Sequence, residues 1–147
     1  LVDEFTSLLE RRLAEAINQE ESGVRRVNMA LNVCMETFGS YKNLAKIFLI
    51  QAPGLGAAFE EKRREIHKRF IKIIQQHLDE AMQEGDLMPI DTEIAAYAWM
   101  GAINEVVIEW VYTGHPDPQR ALPALREMLL RSVGVSEEKI KVLKYHE

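Results

Sequence analysis

Cysteine is almost absent from this chain of 147 residues, with Cys34 alone. One thiol excludes an internal disulfide, a Cys-x-x-Cys metal knuckle and a dithiol redox pair. That usage fits a reducing cytosol. An excess of positive charge is missing too: 18 Lys and Arg against 23 Asp and Glu leave a net charge of −5. A compact module that held DNA by itself would be basic, so nucleic acid is not expected as a direct partner of this stretch. No signal peptide is visible and no apolar run reaches about 18 residues without charge, so no membrane partner is expected. Sustained strand alternation is absent as well. What remains is an all-α chain long enough for one domain with a real core.

Catalytic and cofactor signatures are lacking to the same degree. There is no GxxxxGK[ST], GxSxG or GxGxxG. A di-metal bundle needs Glu-x-x-His, but the residues three before His67, His77, His115 and His146 are Arg64, Ile74, Tyr112 and Leu143. Cys34 lies mid-helix on an apolar face, which reads as a buried, inert thiol rather than a nucleophile. Neither a metal nor another cofactor is implied, and the chain reads as a binding module rather than an enzyme.

The most informative stretch present is 91–113, DTEIAAYAWMGAINEVVIEWVYT. Its strongly polar side chains between Ile94 and Tyr112 are Asn104, Glu105 and Glu109. At 100° per residue, Ala95, Trp99, Ile103, Val106 and Trp110 form one stripe, and Ile94, Tyr97, Gly101, Ile108 and Tyr112 another on the far side. A helix apolar all round must be covered all round. Three covers are open. One is the rest of a large domain wrapped around it, for which 147 residues are few. Another is a membrane, against which two glutamates and an asparagine argue. The third, and the favoured reading, is its own core on one side and a second subunit on the other.

Glycine and proline punctuate the rest of the chain into six or seven helices. An amphipathic helix over 2–17 carries Phe5, Leu8, Leu9, Leu13, Ala16 and Ile17. Ser22 caps a second, with Val24, Val27, Leu31, Cys34, Met35 and Phe38 on one face, and Gly39 is expected to close it by the left-handed route. Ser40 then caps a short helix over 41–51, ended by Pro53, Gly54 and Gly56. The longest helix, 57–84, shares a stripe of Phe59, Ile66, Phe70, Ile73, Ile74, His77 and Ala81, and pairs Glu60 with Arg64 and Glu65 with Arg69 at i,i+4. Gly85 ends it. Asp91 and Gly114 bound the central helix, and Asp117-Pro118 opens a final long one, in which Pro123 predicts a kink or a late start. Residues 136–146 form a charged tail.

Three polar residues stand out against this pattern. Arg63 lies on the apolar stripe one turn beyond Phe59, with His67 at its edge. It either meets an anionic head group at a cavity mouth or packs its stem with the guanidinium in water. Glu105, flanked by Ala98, Gly101 and Ala102, must be paired, wet or ligand-facing. Asn104 is either ligand-facing or held in an interhelical hydrogen bond.

The order LDEAMQEGDL (78–87), PIDTE, AAYAWMGAINEVVIEWVYTG (95–114), HPDPQ and ALPALREMLLRSVG (121–134) resembles the ligand-binding and dimerisation domain of TetR/AcrR-family transcriptional regulators. LVDEFTSLLERRL (1–13) is similar to the connecting helix that leaves the family's DNA-binding head. The resemblance covers nearly the whole chain, but no helix-turn-helix lies within it. It implies one effector-binding and dimerisation domain over 1–147, with 1–20 as connecting helix and 135–147 as tail. It implies a homodimer whose last two long helices form a four-helix bundle, with DNA contacted only through a preceding head. The segment running from QEGDL to INEVV is similar to the branch that responds to fatty acids and acyl-CoA. By that resemblance the effector is small, hydrophobic or amphipathic, and its binding releases DNA.

The pocket candidates it implies are Leu31, Cys34, Met35, Phe38, Phe48, Arg63, Phe70, Ile74 and His77, with Asn104 or Glu105 as polar contacts. The dimer candidates are Trp99, Val106, Trp110, Leu122, Leu125 and Leu129. A stand-alone helical adaptor with a groove for a partner protein, and an enzyme with a dispersed active site, are the competing readings.

Overall fold

A computed structural model of the chain describes residues 2–145; Leu1, His146 and Glu147 lie outside the described residues, as do the side chains of Val2, Phe5, Ala52, Pro53, Lys144 and Tyr145. Seven α-helices follow one another among those residues, without a strand: α1 Val2–Asn18, α2 Gly23–Ser40, α3 Lys42–Lys46, α4 Ala57–Gln83, α5 Thr92–Thr113, α6 Pro118–Ser132 and α7 Glu137–Tyr145. Between α3 and α4 the chain makes a π-helical turn, Ile47–Gln51, and a 3-10 turn, Ala52–Leu55.

Most boundaries follow from local chemistry. Ser22 accepts from the Arg25 N–H at the start of α2, Asp91 from Ile94 at the start of α5, and Asp117 from Gln119 at the start of α6. Each satisfies a backbone donor that the first turn leaves unpaired. Gly85 and Gly114 end α4 and α5 with positive φ, at 83° and 79°. Two expectations are corrected. Gly39 does not end α2, which runs one residue further and is closed by the Tyr41 N–H on the carbonyls of Thr37 and Phe38, so Ser40 caps nothing. The predicted late start in α6 does not occur: the helix begins at Pro118, with Pro123 inside it.

Helix α2 is the hub, packing on α1, α4 and α6, while α5 packs on α4, α3 and α6. Its approach to α4 is close: a Cβ on Gly23 would lie 2.5 Å from the Ala81 nitrogen and 2.8 Å from the His77 carbonyl oxygen. Polar bonds fix that crossing. Gly23 N–H donates to Glu84 at 3.0 Å, Arg26 pairs with Glu80 at 2.8 Å, and His77 Nδ1 lies 3.0 Å from the same Glu80 carboxylate.

The core is one contiguous cluster that includes Leu9 and Leu13 of α1, Leu31 and Met35 of α2, Ile66 and Leu78 of α4, Trp99 and Val107 of α5, Leu130 of α6 and Ile140 of α7. The charged tail is therefore a docked helix: Ile140 and Leu143 are buried, and Lys139 pairs with Asp86.

Gly23→Ala is expected to force α2 off α4, because backbone rather than a flexible side chain occupies the space. A loss of about 1–3 kcal/mol in urea unfolding is the expected cost of such overpacking; unchanged stability would contradict the observed crossing.

Candidate functional site

The pocket candidates divide by what they touch. Leu31, Cys34, Met35, Phe38, Phe48, Phe70 and Ile74 are all buried and belong to the single apolar cluster. Burial pushes the Cys34 thiol up to about 12, which makes it a poor nucleophile near neutrality. His77 is buried as well, but its ring nitrogen is bound to Glu80 in the α2–α4 bridge. It is a structural tie rather than a free polar contact.

Arg63 is also corrected. Its guanidinium grips Glu60 with two bonds, at 2.8 and 2.6 Å, so its charge is already matched. The expected Glu60–Arg64 pair gives way to this i,i+3 pair, because Arg63 lies on the side of α4 that is half buried.

One polar cluster inside the fold has unused capacity. Asn104 of α5 and His67 of α4 face each other, with Asn104 Nδ2 3.4 Å from His67 Nδ1. Phe48, held on the π-helical turn, stacks on the imidazole with ring centres 5.1 Å apart and planes 8° from parallel. The other atoms of the pair, His67 Nε2 and Asn104 Oδ1, are both buried without a hydrogen-bond partner. Asn28 Oδ1 and Thr37 Oγ1 are in the same condition. Only at His67 and Asn104, however, do the unpartnered atoms belong to side chains that bind each other. Buried polar atoms are normally paired, so such a pair needs an explanation. A π turn is itself a frequent mark of a functional site. Desolvation, and then the nearby Arg63 charge, push the His67 imidazole down to about 4, against a small opposing effect of Glu60. The ring is therefore neutral at physiological pH.

The dimer candidates are redistributed too. Trp99, Leu122, Leu125 and Leu129 are 2%, 9%, 6% and 4% exposed, so they belong to the core of this subunit, with only Leu125 also reaching the floor of a surface groove. The Trp99 indole donates to Ser132 of α6 at 3.3 Å, and this fixes which stripe of α5 turns inward. Trp110 is half buried under the Lys42 ammonium at 5.1 Å, and Val106 is half buried. The other stripe faces out: Ile94, Tyr97, Ala98, Gly101, Glu105 and Tyr112 are exposed, with Ile108 half buried among them. Glu105 therefore points away from the core rather than toward a ligand within it. Beside this face, Val106 and the α6 residues Arg120, Ala121, Ala124, Leu125 and Met128 line a shallow groove of about 360 Å³. Among the described residues, no group of three His, Cys, Asp or Glu side chains could hold a metal ion, and no helix is long and apolar enough to cross a membrane.

This arrangement is a regulator's effector-binding domain in outline: a helical shell, a buried polar pair, and one helix bare along its outer side. Residues 20–133 match the tetracyclin repressor-like, C-terminal domain family, and the chain belongs to it. The solved structures it is similar to include FadR of Bacillus halodurans, a fatty acid degradation regulator, with TM-score 0.76 at 18% identity over 88% of this chain and 72% of that one. FadR of Bacillus subtilis in complex with stearoyl-CoA matches with TM-score 0.76 at 21% identity, over 88% of this chain and 70% of that one. A TetR-family regulatory protein from Rhodococcus RHA1 matches at 0.75 with 17% identity, over 92% and 72%. Among curated proteins, no sequence matches this chain. The family and these structures are transcriptional regulators, not enzymes, so neither the enzyme reading nor the stand-alone adaptor gains support.

His67 was the residue least legible in advance. Its place one turn beyond Arg63 put it at the edge of the apolar stripe, but nothing local showed that Asn104 and Phe48 would close on it.

The depressed His67 value has a sign that can be checked. The unfolded chain's histidine titrates near ~6.5 and binds protons that the folded ring refuses. Stability is therefore complete above that range and falls as pH drops toward about 4. Urea unfolding between about pH 7 and pH 5, above the range where carboxylates titrate, should show a decline of at most about 1.4 kcal/mol per unit, less for the ring's residual exposure. His67→Phe should flatten that decline; an unchanged slope in the variant would contradict the assignment.

Proposed function

We propose that this chain is the effector-binding and dimerisation domain, spanning 1–147, of a transcriptional repressor that releases DNA on binding an amphipathic molecule built on a long apolar chain, a fatty acid or its acyl-CoA. The observation that carries this reading is the orphaned His67–Asn104 pair inside an otherwise apolar core. A site of apolar walls with a few convergent polar groups is what a mostly hydrocarbon ligand requires. Support for the ligand class comes from the likeness in fold to the Bacillus subtilis regulator solved with stearoyl-CoA.

DNA is contacted through a head that precedes α1, and α1 is tied to the site-bearing helix. Asp3 pairs with Lys62, and Glu10 pairs with Arg69 at 2.8 Å. Both cations lie on the stretch of α4 that carries His67. A ligand entering between α3 and α4 displaces this stretch, and α1 moves with it. The effector must bind the displaced arrangement more tightly than the DNA-competent one, or nothing shifts.

The second subunit is a copy of this chain, seated on the outer face of α5 and the adjoining α6 groove. Gly101 supports this. It lies mid-helix and exposed, and a Cβ there would meet nothing within 4 Å. Glycine weakens a helix interior by about 1 kcal/mol relative to alanine, and nothing within one subunit requires it. A close approach by a partner helix does.

Two measurements test the proposal. Stearoyl-CoA at micromolar concentration should raise the melting temperature; no shift with any long-chain fatty acid or acyl-CoA would overturn the ligand class. Sedimentation equilibrium should show a dimer that Tyr97→Arg converts to a monomer. Gly101→Ala should weaken the dimer about tenfold or more by wedging the helices apart. A monomeric wild type, or a Gly101→Ala dimer as tight as wild type and merely more stable, would overturn the two-fold face.

A further inference from the structure

The unpaired atoms at His67 and Asn104 specify the chemistry of the group that would satisfy them, and this inference rests on the effector reading above. Two arrangements are open to a neutral imidazole beside an amide. If Asn104 Nδ2 donates to Nδ1, His67 Nε2 carries the proton and is a free donor, while Asn104 Oδ1 is a free acceptor. If the amide is turned over, Nδ1–H donates to its oxygen. Nε2 is then the free acceptor and the amide N–H the free donor. In both cases one donor and one acceptor are left, on two side chains that contact each other.

Charge narrows the choice further. The cation nearest this pair on α4, Arg63, is held in two bonds by Glu60, so an incoming anion finds no unmatched counter-charge there. The imidazole supplies none, since it is neutral. Phe48 covers one face of the ring at near-parallel stacking, which leaves the ring edge, where Nε2 lies, as the polar approach. One helical turn from the pair, Phe70 on α4 and Met100 and Val107 on α5 are buried and apolar. They suit the hydrocarbon next to the polar group.

We propose that the His67–Asn104 pair is the polar anchor of the effector site and accepts an uncharged group offering a donor and an acceptor together, an amide or an alcohol, in preference to a free carboxylate. A carboxylate meets one donor, one repelling acceptor and no cation, and its charge is buried without compensation. A secondary amide or a hydroxyl pairs with both orphan atoms. On this reading an acyl-CoA is anchored through an amide of its pantetheine arm rather than through its phosphates, and a free fatty acid is the poorer effector.

The test uses three probes of one chain length, decanamide, 1-decanol and decanoate, titrated at about pH 8 into the protein and followed by calorimetry. The amide and the alcohol should bind about tenfold or more tighter than decanoate, a discrimination expected where polar atoms would otherwise stay unpaired. In Asn104→Leu and in His67→Phe the preference should shrink to about threefold or less. The double variant His67→Phe/Asn104→Leu, which removes both partners of the bond together with both orphan atoms, should melt at or above the wild-type temperature. That rise separates loss of preference from loss of fold. Decanoate binding as tightly as the amide, or a preference that survives in both variants, would overturn the anchor while leaving the effector reading standing. Binding of none of the three, in a protein whose melting temperature stearoyl-CoA does raise, would overturn the anchor alone, whereas no response to either set would remove both.

Discussion

Everything in this fold answers to one constraint: α5 is apolar around nearly its whole circumference and cannot be left wet. Its inner stripe, through Ala96, Trp99, Met100, Ile103 and Val107, is buried by α4, α3 and α6. Among the described residues, no helix covers the outer stripe. Ile94, Tyr97 and Tyr112 are therefore 59%, 50% and 66% exposed, contiguous along one line and broken by a glycine that serves no purpose within the subunit. On the proposed dimer, a second copy would cover this stripe and bury the apolar area that the single subunit leaves exposed.

The same geometry places the polar pair. Asn104 lies on the flank of α5, between the inner and outer stripes, so it is the position at which that helix can present an amide to α4. Two polar atoms kept buried without partners lower stability, each by about 1–3 kcal/mol by the usual cost of desolvation. Features that oppose folding and yet sit among well-packed neighbours belong to function more often than to architecture. Around the pair, charges are arranged to cancel. Arg63 and Glu60 neutralise each other, and His67 stays uncharged. The helix that carries these groups also carries Lys62 and Arg69, which pair with Asp3 and Glu10 of α1, and the proposed coupling between effector and α1 runs through it.

Much of this architecture could be read in the residues. Caps at Ser22, Asp91 and Asp117, and stops at Gly85 and Gly114, are local chemistry, and they fell where the side chains put them. The stripe on α4 was legible from period alone. What failed did so for tertiary reasons. The segment around Ile47 is apolar on several sides, so its period is consistent with an α-helix and cannot reveal a π turn. The two stripes of α5 are equally apolar, so period alone leaves open which of them turns inward. The Trp99 indole bond to Ser132 and the packing of α6 decide it, and both join residues far apart in sequence. His77 looked like a pocket residue because its face is right, but Glu80, one turn on and itself paired with Arg26 of α2, claims it. The candidate site itself was half visible. Asn104 and Phe48 were marked by type and face, but their convergence on His67 joins three segments distant in the chain.

The central claim, that α5 is held between its own subunit and a twin, is tested most directly by pulsed dipolar spectroscopy. The label would be attached at Glu105→Cys in a Cys34→Ser background. Glu105 is exposed on the outer stripe of the isolated subunit and Cys34 is buried, so the label reports the outer face alone. The account predicts a single narrow distance between two labels, unchanged on dilution through the micromolar range. Absence of any dipolar coupling, with a freely tumbling label at that site, would contradict it.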